Sequence, residues 1–432
     1  MPPLRTHGRG ERLCYLVFMQ PLPGFRDFLP DDCAFRNAIF ARWREVCRGY
    51  GFVEWDGPVL EPTELYRKKS GPEIVSQLFN FIDKGEREVA MRPELTPSLA
   101  RVVAAHERKF RKPLKWFSLP QCFRYEKQQR GRLREHFQLN CDIIGDDSPG
   151  ADVEIVALAV DLLRAFGFTA DQVVLRLSDR RFWTDLLRQQ NVPEEQWIDL
   201  LQVIDKSERE PREKTKEKLG KLAGPVFTVL EGGGRSDKLN FLARQLELRG
   251  LADYVMVDLS IVRGLAYYTG IVFEVFDRAG DLRAIAGGGR YDNLVAQLSD
   301  GAVSLPAVGF AMGDVVLGDL IKETPDVFAR LADVVSQQSA LDIYVVIAKE
   351  ERRPDAIHQM QLLRDEAWRV DYPMIPAKVG KQFQMAEAMG ARITILYGDE
   401  WPQVKIKTLA TRDEILVPHD QVFARVRQLL SS

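Results

Sequence analysis

The sequence predicts an α+β protein with a mostly helical insertion and a C-terminal α/β domain, on three observations. A polar run, KQQRGRLRE, joins two strand-like stretches, KWFSLPQCFRYE and EHFQLNCDIIG, into an antiparallel hairpin. Residues from about 172 to 253 turn charge-dense and helical, after which strands of the earlier kind resume. From Leu341 short apolar strands alternate with helices, the pattern of a mixed or parallel sheet.

Taken in order, residues 1–18 hold arginines and then an apolar run at the short limit for a secretory signal, with no small-residue cleavage site after it. Met19 serves equally as a start, so 1–18 are expected to be a disordered extension. Pro30, Asp31 and Asp32 begin a helix, Phe35, Ile39, Trp43 and Val46 recur at helical spacing, and Gly49 and Gly51 end it. FVEWDGPVLE at 52–61 reads as a strand whose Pro58 suits an edge or bulge. Thr96 and Pro97 read as an N-cap and first helical residue. DVEIVALAVDLLRAFGF is an amphipathic helix closed at Gly167. VVLRLSD is a strand, and DKSEREPREKTKEKLGKL reads as solvated helical faces. YVMVDLSIVRG, YYTGIVFEVFD and LRAIAGGGRYD are strands again. A boundary near KETPDVFARLADVVSQQSA leaves a main domain over 19–330, with its insertion at about 172–253, and a second domain over 340–432.

Composition sets limits. The 432 residues are 45% hydrophobic and 28% charged with a formal net charge of −2, so a nucleic-acid partner must be held by local basic patches. Cys14, Cys33, Cys47, Cys122 and Cys141 are scattered, without CxxC spacing, and His7, His106, His136, His358 and His419 are equally dispersed; a reducing compartment is expected, and no protein-held metal. No stretch approaches the roughly 20 apolar residues of a membrane span.

The hairpin poses the functional question. Strand alternation puts Arg124 and Glu126 on one face of the incoming arm, and Gln138, Asn140 and Asp142 on one face of the returning arm. Cross-strand ion pairs would explain the charged loop. They suit the returning arm less well, because Phe137, Leu139, Cys141, Ile143 and Ile144 mark a strand at least half buried, where an unpaired carboxylate costs roughly 3 kcal/mol or more. Three further segments carry chemistry-bearing residues: RPELT, whose helix N-terminus with Glu94 and Thr96 suits a small amphoteric ligand; IVRGLAYYTG, with Arg263, Tyr267 and Tyr268; and GGGRYD, three glycines beside Tyr291. Thr96 as a mere cap and the tyrosines as mere core remain open on pattern alone.

These residues carry a resemblance. GFRDFLP with its helix and the PVLE strand resembles motif 1 of the class II aminoacyl-tRNA synthetases, and FRYE…RGRLREHFQLNCDIIG resembles their motif 2. RPELT, VRGLAYYTG and GGGRYD are similar to signature segments of the histidyl-tRNA synthetases, and KVGKQFQMAEAMGARITILYGDE resembles that family's anticodon-binding domain. The likeness runs from about residue 20 to the C-terminus. It implies a class II antiparallel sheet flanked by helices, a C-terminal α/β anticodon-binding domain, and a cytoplasmic homodimeric ligase that activates L-histidine with ATP and magnesium and transfers it to tRNA(His). Arg124 and Arg263 would then act at the α-phosphate and the amino-acid carboxylate. Glu94, Thr96 and Gln138 would hold the α-amino group, Asp142 with Tyr268 would receive the imidazole, Tyr267 and Tyr291 would line the pocket, and Glu126 and Arg132 would lie on the nucleotide side. The helix at 31–49 would supply exposed aromatics to a two-fold interface, and Lys378, Lys381, Lys405 and Lys407 would meet tRNA. The alternative is a non-catalytic histidine-binding paralogue, such as the regulatory subunit of ATP phosphoribosyltransferase, a kind that lacks the anticodon domain.

The chain departs from the family pattern at several positions. Val316 stands where the motif 3 arginine belongs, Asp314 replaces the leucine after Gly313, and Ala266 replaces an aspartate before the tyrosine pair. His136 stands near where a base-stacking aromatic is expected. Either another cation, such as Arg132 or Arg134, compensates for Val316, or nucleotide affinity is weak.

Overall fold

The computed structural model describes residues 19–430 apart from 71, 128, 233, 235 and 264–266. The expected extension over 1–18 and the substitution at Ala266 lie outside the described residues. The chain divides into two compact units between Thr324 and Pro325. Among the described residues no helix is long and apolar enough to cross a membrane.

In the first unit, strand β1 (Val53–Glu54) is followed by a small sheet of β2 (Leu60–Pro62), β3 (Asn80–Ile82) and β4 (Glu88–Met91). The main sheet then adds β5 (Leu114–Ser118), β6 (Gln121–Phe123), β7 (Glu135–Ile144), β8 (Val173–Asp179), β9 (Val255–Val257), β10 (Ile271–Asp277), β11 (Ala286–Arg290) and β12 (Ala307–Gly313). Its order is β1-β5-β7-β12-β11-β10-β8-β9, with β6 also pairing β7. Only β1/β5 and β8/β9 are parallel. The stretch expected as one strand at 52–61 is broken. Gly57 and Pro58 interrupt it, and the buried Arg92 pins the break by donating from Nη1 to Gly57 O and Asp56 Oδ1, each at 2.8 Å. The hairpin's incoming arm is split at Leu119–Pro120 in the same way, so β5 pairs one half of β7 and β6 the other. Tyr267 and Tyr268 precede β10 instead of lying in it.

Alternation gives the sheet two unlike faces. Asp142 is opposite Gly309, which is opposite Gly289; Asn140 is opposite Ala311, which is opposite Gly287. One face of the central strands is therefore a floor of glycine and alanine from which the polar side chains of β7 rise. On the other face Leu139, Cys141, Ile143, Val308 and Met312 are buried, and the helix Pro149–Phe166, closed by Gly167 at φ 97°, supplies buried apolar residues to the same unit. Arg290 ends β11 with its side chain fully buried, paired with Asp152 at 2.7 Å and Asp292 at 3.1 Å and donating to Asp146 O. Replacing it by methionine takes the nearest cation from Asp292 and leaves Asp152 with Lys238 alone, and is expected to cost roughly 3 kcal/mol. Urea denaturation measures that loss, and KM values for substrates, read where the variant is folded, should be unchanged.

The helix Pro30–Gly49 does not expose its aromatic stripe as expected. Trp43 and Phe40 are buried and stacked on one another at 5.6 Å, and Phe40 meets Phe137 edge-on at 5.2 Å, because the helix uses that stripe to cover the sheet of its own chain.

The second unit begins with the helix Pro325–Ser339. Its sheet has β13 (Ile343–Ile347) between β14 (Val370–Asp371) and β15 (Ile393–Tyr397), all parallel, then β16 (Gln403–Thr408) and β17 (Glu414–Pro418) antiparallel. Val345, Ile395, Ile406, Val422 and Val426 share its core. Lys405 and Lys407 are engaged with Glu414, at 3.8 and 2.9 Å.

Candidate active site

A cavity of about 80 Å³ opens on the glycine-alanine floor. Glu94, Thr96, Gln138, Asp142, Tyr267, Tyr268 and Tyr291 all line it, together with Arg124 and Arg263. Four segments spread over two hundred positions therefore converge. Thr96 is the first residue of the helix Thr96–His106, and no side chain caps that helix, so the capping role expected for Thr96 is not what the structure shows. Asp142 lies at the bottom, where Tyr291 donates its hydroxyl to Oδ1. Tyr268, expected to receive the imidazole with Asp142, lines the same cavity, its ring centre 4.6 Å from that of Tyr267 and 5.6 Å from the Arg263 guanidinium. Burial lifts the Asp142 carboxyl to about 7, against the Tyr291 hydrogen bond and the charge of Lys69. Glu94 goes the other way: burial raises it, but Lys69, Arg124 and Arg263 together hold it below the usual carboxylate range. The cavity thus holds one ionised carboxylate and one carboxyl that titrates near neutral pH.

The glycines explain how bulky groups fit. A Cβ on Gly309 would lie 2.0 Å from Asp142 Oδ1, and one on Gly287 would lie 1.6 Å from Arg263 Nη1. Arg263 has φ 53°, a conformation that costs a non-glycine residue roughly 1 kcal/mol or more. Asp205 Oδ1 holds it there by accepting the backbone N–H of Arg263 at 2.7 Å and of Val262 at 3.3 Å. Asp205 ends the helix Trp197–Asp205, so the charged insertion fixes the backbone of a site arginine. Some of the insertion's other charges pair among themselves, as Lys216 with Glu213 and Lys218 with Glu210, while Lys238 and Arg249 reach Asp152 and Glu154 of the helix Pro149–Phe166.

Arg124, Gln138, Arg263, Gly287 and Ala311 also line a second cavity of about 950 Å³, so the two are contiguous. Glu126 and Arg132 line the larger one as an ion pair, and Asp205 and Glu274 stand on its wall. His136 faces it too. Burial and the charges of Arg124, Arg26 and Arg132 push its imidazole down to about 3, so it presents a neutral flat ring. Val316 lines the cavity without a charge to offer. Asp314, in place of the expected leucine, accepts from Phe137 N–H at 2.8 Å and from Arg26 at 3.0 Å, and Arg26 also binds Glu135. This position thus ties the helix Asp314–Glu323 to β7 and the GFRDFLP segment. Arg134 is not among the residues lining either cavity: it donates to Glu126 O at 3.2 Å and covers the Tyr125 ring.

The sequence assigns Asn140 a face but no role, and it does not single out Lys69 at all. Asn140 lines the small cavity beside Gln138, as its parity allowed. Lys69, with a side chain 1% exposed, binds Glu94 at 2.6 Å and lies 4.1 Å from the centre of the Tyr267 ring. Its signal was slight: it follows the buried Tyr66 by three positions in the short helix Thr63–Ser70, which places both on one face. Lys69→Met should lower the stability of the ligand-free protein by on the order of 2 kcal/mol by orphaning Glu94. An ammonium-bearing ligand replaces the lost cation, so saturating amphoteric ligand should raise the melting temperature more in the variant than in the unsubstituted protein.

A large antiparallel sheet with helices around it, carrying a small amphoteric cavity that opens into an arginine-lined one, is the architecture of the class II aminoacyl-tRNA synthetases. A histidyl-tRNA synthetase family model matches residues 24–313, and an anticodon binding domain model matches residues 342–429. A histidine–tRNA ligase of Opitutus terrae is 43% identical over 96% of this chain and all of its own length. A chloroplastic/mitochondrial histidine–tRNA ligase of Arabidopsis thaliana is 38% identical over 93% of this chain and 85% of its own. The fold is similar to that of a histidyl-tRNA synthetase from Nostoc sp. PCC 7120, with a TM-score of 0.73, 22% identity, and 95% of this chain and 99% of that one covered. The chain belongs to the histidyl-tRNA synthetase family.

Proposed function

We propose that the protein is a histidine–tRNA ligase, which joins L-histidine to ATP as histidyl-adenylate with release of pyrophosphate and then transfers the histidyl group to tRNA(His). The observation that carries this reading is the contact between the two cavities at Arg124 and Arg263. A carboxylate held in the small cavity and a nucleotide in the large one meet between two guanidiniums. Attack of that carboxylate on the α-phosphorus, with pyrophosphate leaving in line, needs positioning and positive charge more than a base. Glu94, Thr96 and Gln138 take the α-ammonium, and Asp142, polarised by Tyr291, takes an imidazole N–H. A site built on that bond rejects apolar isosteres by about 10⁴. Glu126 and Arg132 lie on the nucleotide side. Magnesium binds by substrate phosphates with one or two carboxylates, and Glu274 and Glu126 on the cavity wall suit that need; the ion would neutralise phosphate charge. A cytoplasmic two-fold homodimer that meets tRNA through its C-terminal unit completes the proposal.

The test is histidine-dependent exchange of pyrophosphate into ATP, followed by charging of tRNA(His). Exchange with histidine and with none of the other amino acids is expected. Histidine binding without exchange would favour the sensor paralogue.

A further inference from the structure

The large cavity holds more guanidinium than its carboxylates neutralise. Arg132 is paired with Glu126, Arg176 with Asp258 and Glu208, and Arg263 faces Glu274 at 3.7 Å. Arg278 donates to the carbonyls of Ala170 and Asp253. Among the described residues, Arg124, Arg209 and Arg283, like Arg278, line the cavity with no carboxylate in ion-pair contact, and Arg209 and Arg283 give no hydrogen bonds to carbonyls in Arg278's manner. Arg124 stands where the two cavities join. Arg283 comes from the connection between β10 and β11, and it meets the tip of the motif 2 loop: a Cβ on Gly131 would lie 3.2 Å from Val316 Cγ2 and 3.9 Å from Arg283 Cδ. The loop glycine, the uncharged Val316 and the unpaired Arg283 thus share one spot on the wall.

We propose that Arg283 is a nucleotide-binding residue that grips the β- and γ-phosphates of ATP and supplies, from the hairpin, the cation that position 316 lacks. The assignment rests on reading the large cavity as the ATP site. With the α-phosphate between Arg124 and Arg263, the remaining phosphates carry most of the triphosphate's charge and gain more as the leaving pyrophosphate departs. A guanidinium at their end therefore stabilises both bound ATP and the transition state. Burial and the like charges of Arg283 and Arg124 pull the Arg132 guanidinium down against its pairing with Glu126, a crowding of cations that a bound polyanion relieves.

The test compares the unsubstituted protein with Arg283→Ala and Arg283→Lys. KM for ATP in histidine-dependent exchange should rise about tenfold or more in the alanine variant, with KM for histidine within about twofold, and lysine should recover part of the loss. Adding Val316→Arg to Arg283→Ala should restore ATP affinity, which a merely structural role for Arg283 would not allow. Arg283→Gln serves if the alanine variant does not fold. An ATP KM within about twofold of the unsubstituted value overturns the proposal. ATP binding is also read by calorimetry: a protein that binds ATP through Arg283 but gives no exchange sinks the ligase reading alone, and one that binds no ATP sinks both.

Discussion

Replacing Arg263 by alanine should lower kcat for histidine-dependent pyrophosphate exchange by about 10²–10³-fold, the range for losing one preorganised charge at a developing anion. The side chain lines both cavities, with Gly287 cleared beneath it and Asp205 fixing its backbone at φ 53°. That pre-organisation serves the transition state, so the loss should fall on kcat, with KM for histidine changing little. Arg263→Lys keeps the charge without the planar fork and should recover only part of it. Single-turnover formation of adenylate separates this from a defect in release. Asp205→Asn keeps the shape of the group that accepts the Arg263 N–H but weakens it, and a smaller fall in kcat is expected there.

Asp142 should dominate recognition of the amino acid. Asp142→Ala is expected to weaken histidine binding by on the order of 100-fold while ATP binding holds, because the imidazole N–H loses its acceptor and Tyr291 its partner. The pH dependence follows from burial. With the carboxyl lifted to about 7, the ligand-free site carries a proton at lower pH and must release it to accept an N–H. Histidine affinity should therefore rise as the pH is raised from about 5.5 to about 7.5, and Asp142→Asn should lose the part of the rise that belongs to the carboxyl, keeping only that of the ligand's own imidazole, which titrates near about 6.5. Calorimetric titrations across that range read both effects, and an identical profile in the two proteins would refute the assignment.

The parity of the motif 2 hairpin was readable because a strand must alternate: Gln138, Asn140 and Asp142 do share a face, and that face is the cavity floor. The three glycines of GGGRYD announced a close approach, though not what approached. The structure gives Gly287 to Arg263, and Gly289 to Tyr268 at 2.9 Å from a hypothetical Cβ. What stayed hidden depends on partners far away in sequence. Lys69 reads as one more surface charge until the fold buries it against Glu94, and Asp205 lies 58 residues before the N–H it accepts. The expectation of exposed aromatics on the helix at 31–49 failed for a related reason, since periodicity shows that a stripe exists but not which surface it covers. Likewise, nothing in the motif 3 segment points to Arg283, because the compensating position is on another hairpin.

The most direct measurement is a crystal structure with L-histidine and a non-hydrolysable ATP analogue bound together. The geometry predicts the imidazole within hydrogen-bond distance of Asp142, the histidine carboxylate facing the α-phosphorus, and the guanidiniums of Arg124 and Arg263 in contact with both. A nucleotide lying away from those two arginines, or a histidine whose ring leaves Asp142 paired to Tyr291 alone, would contradict it.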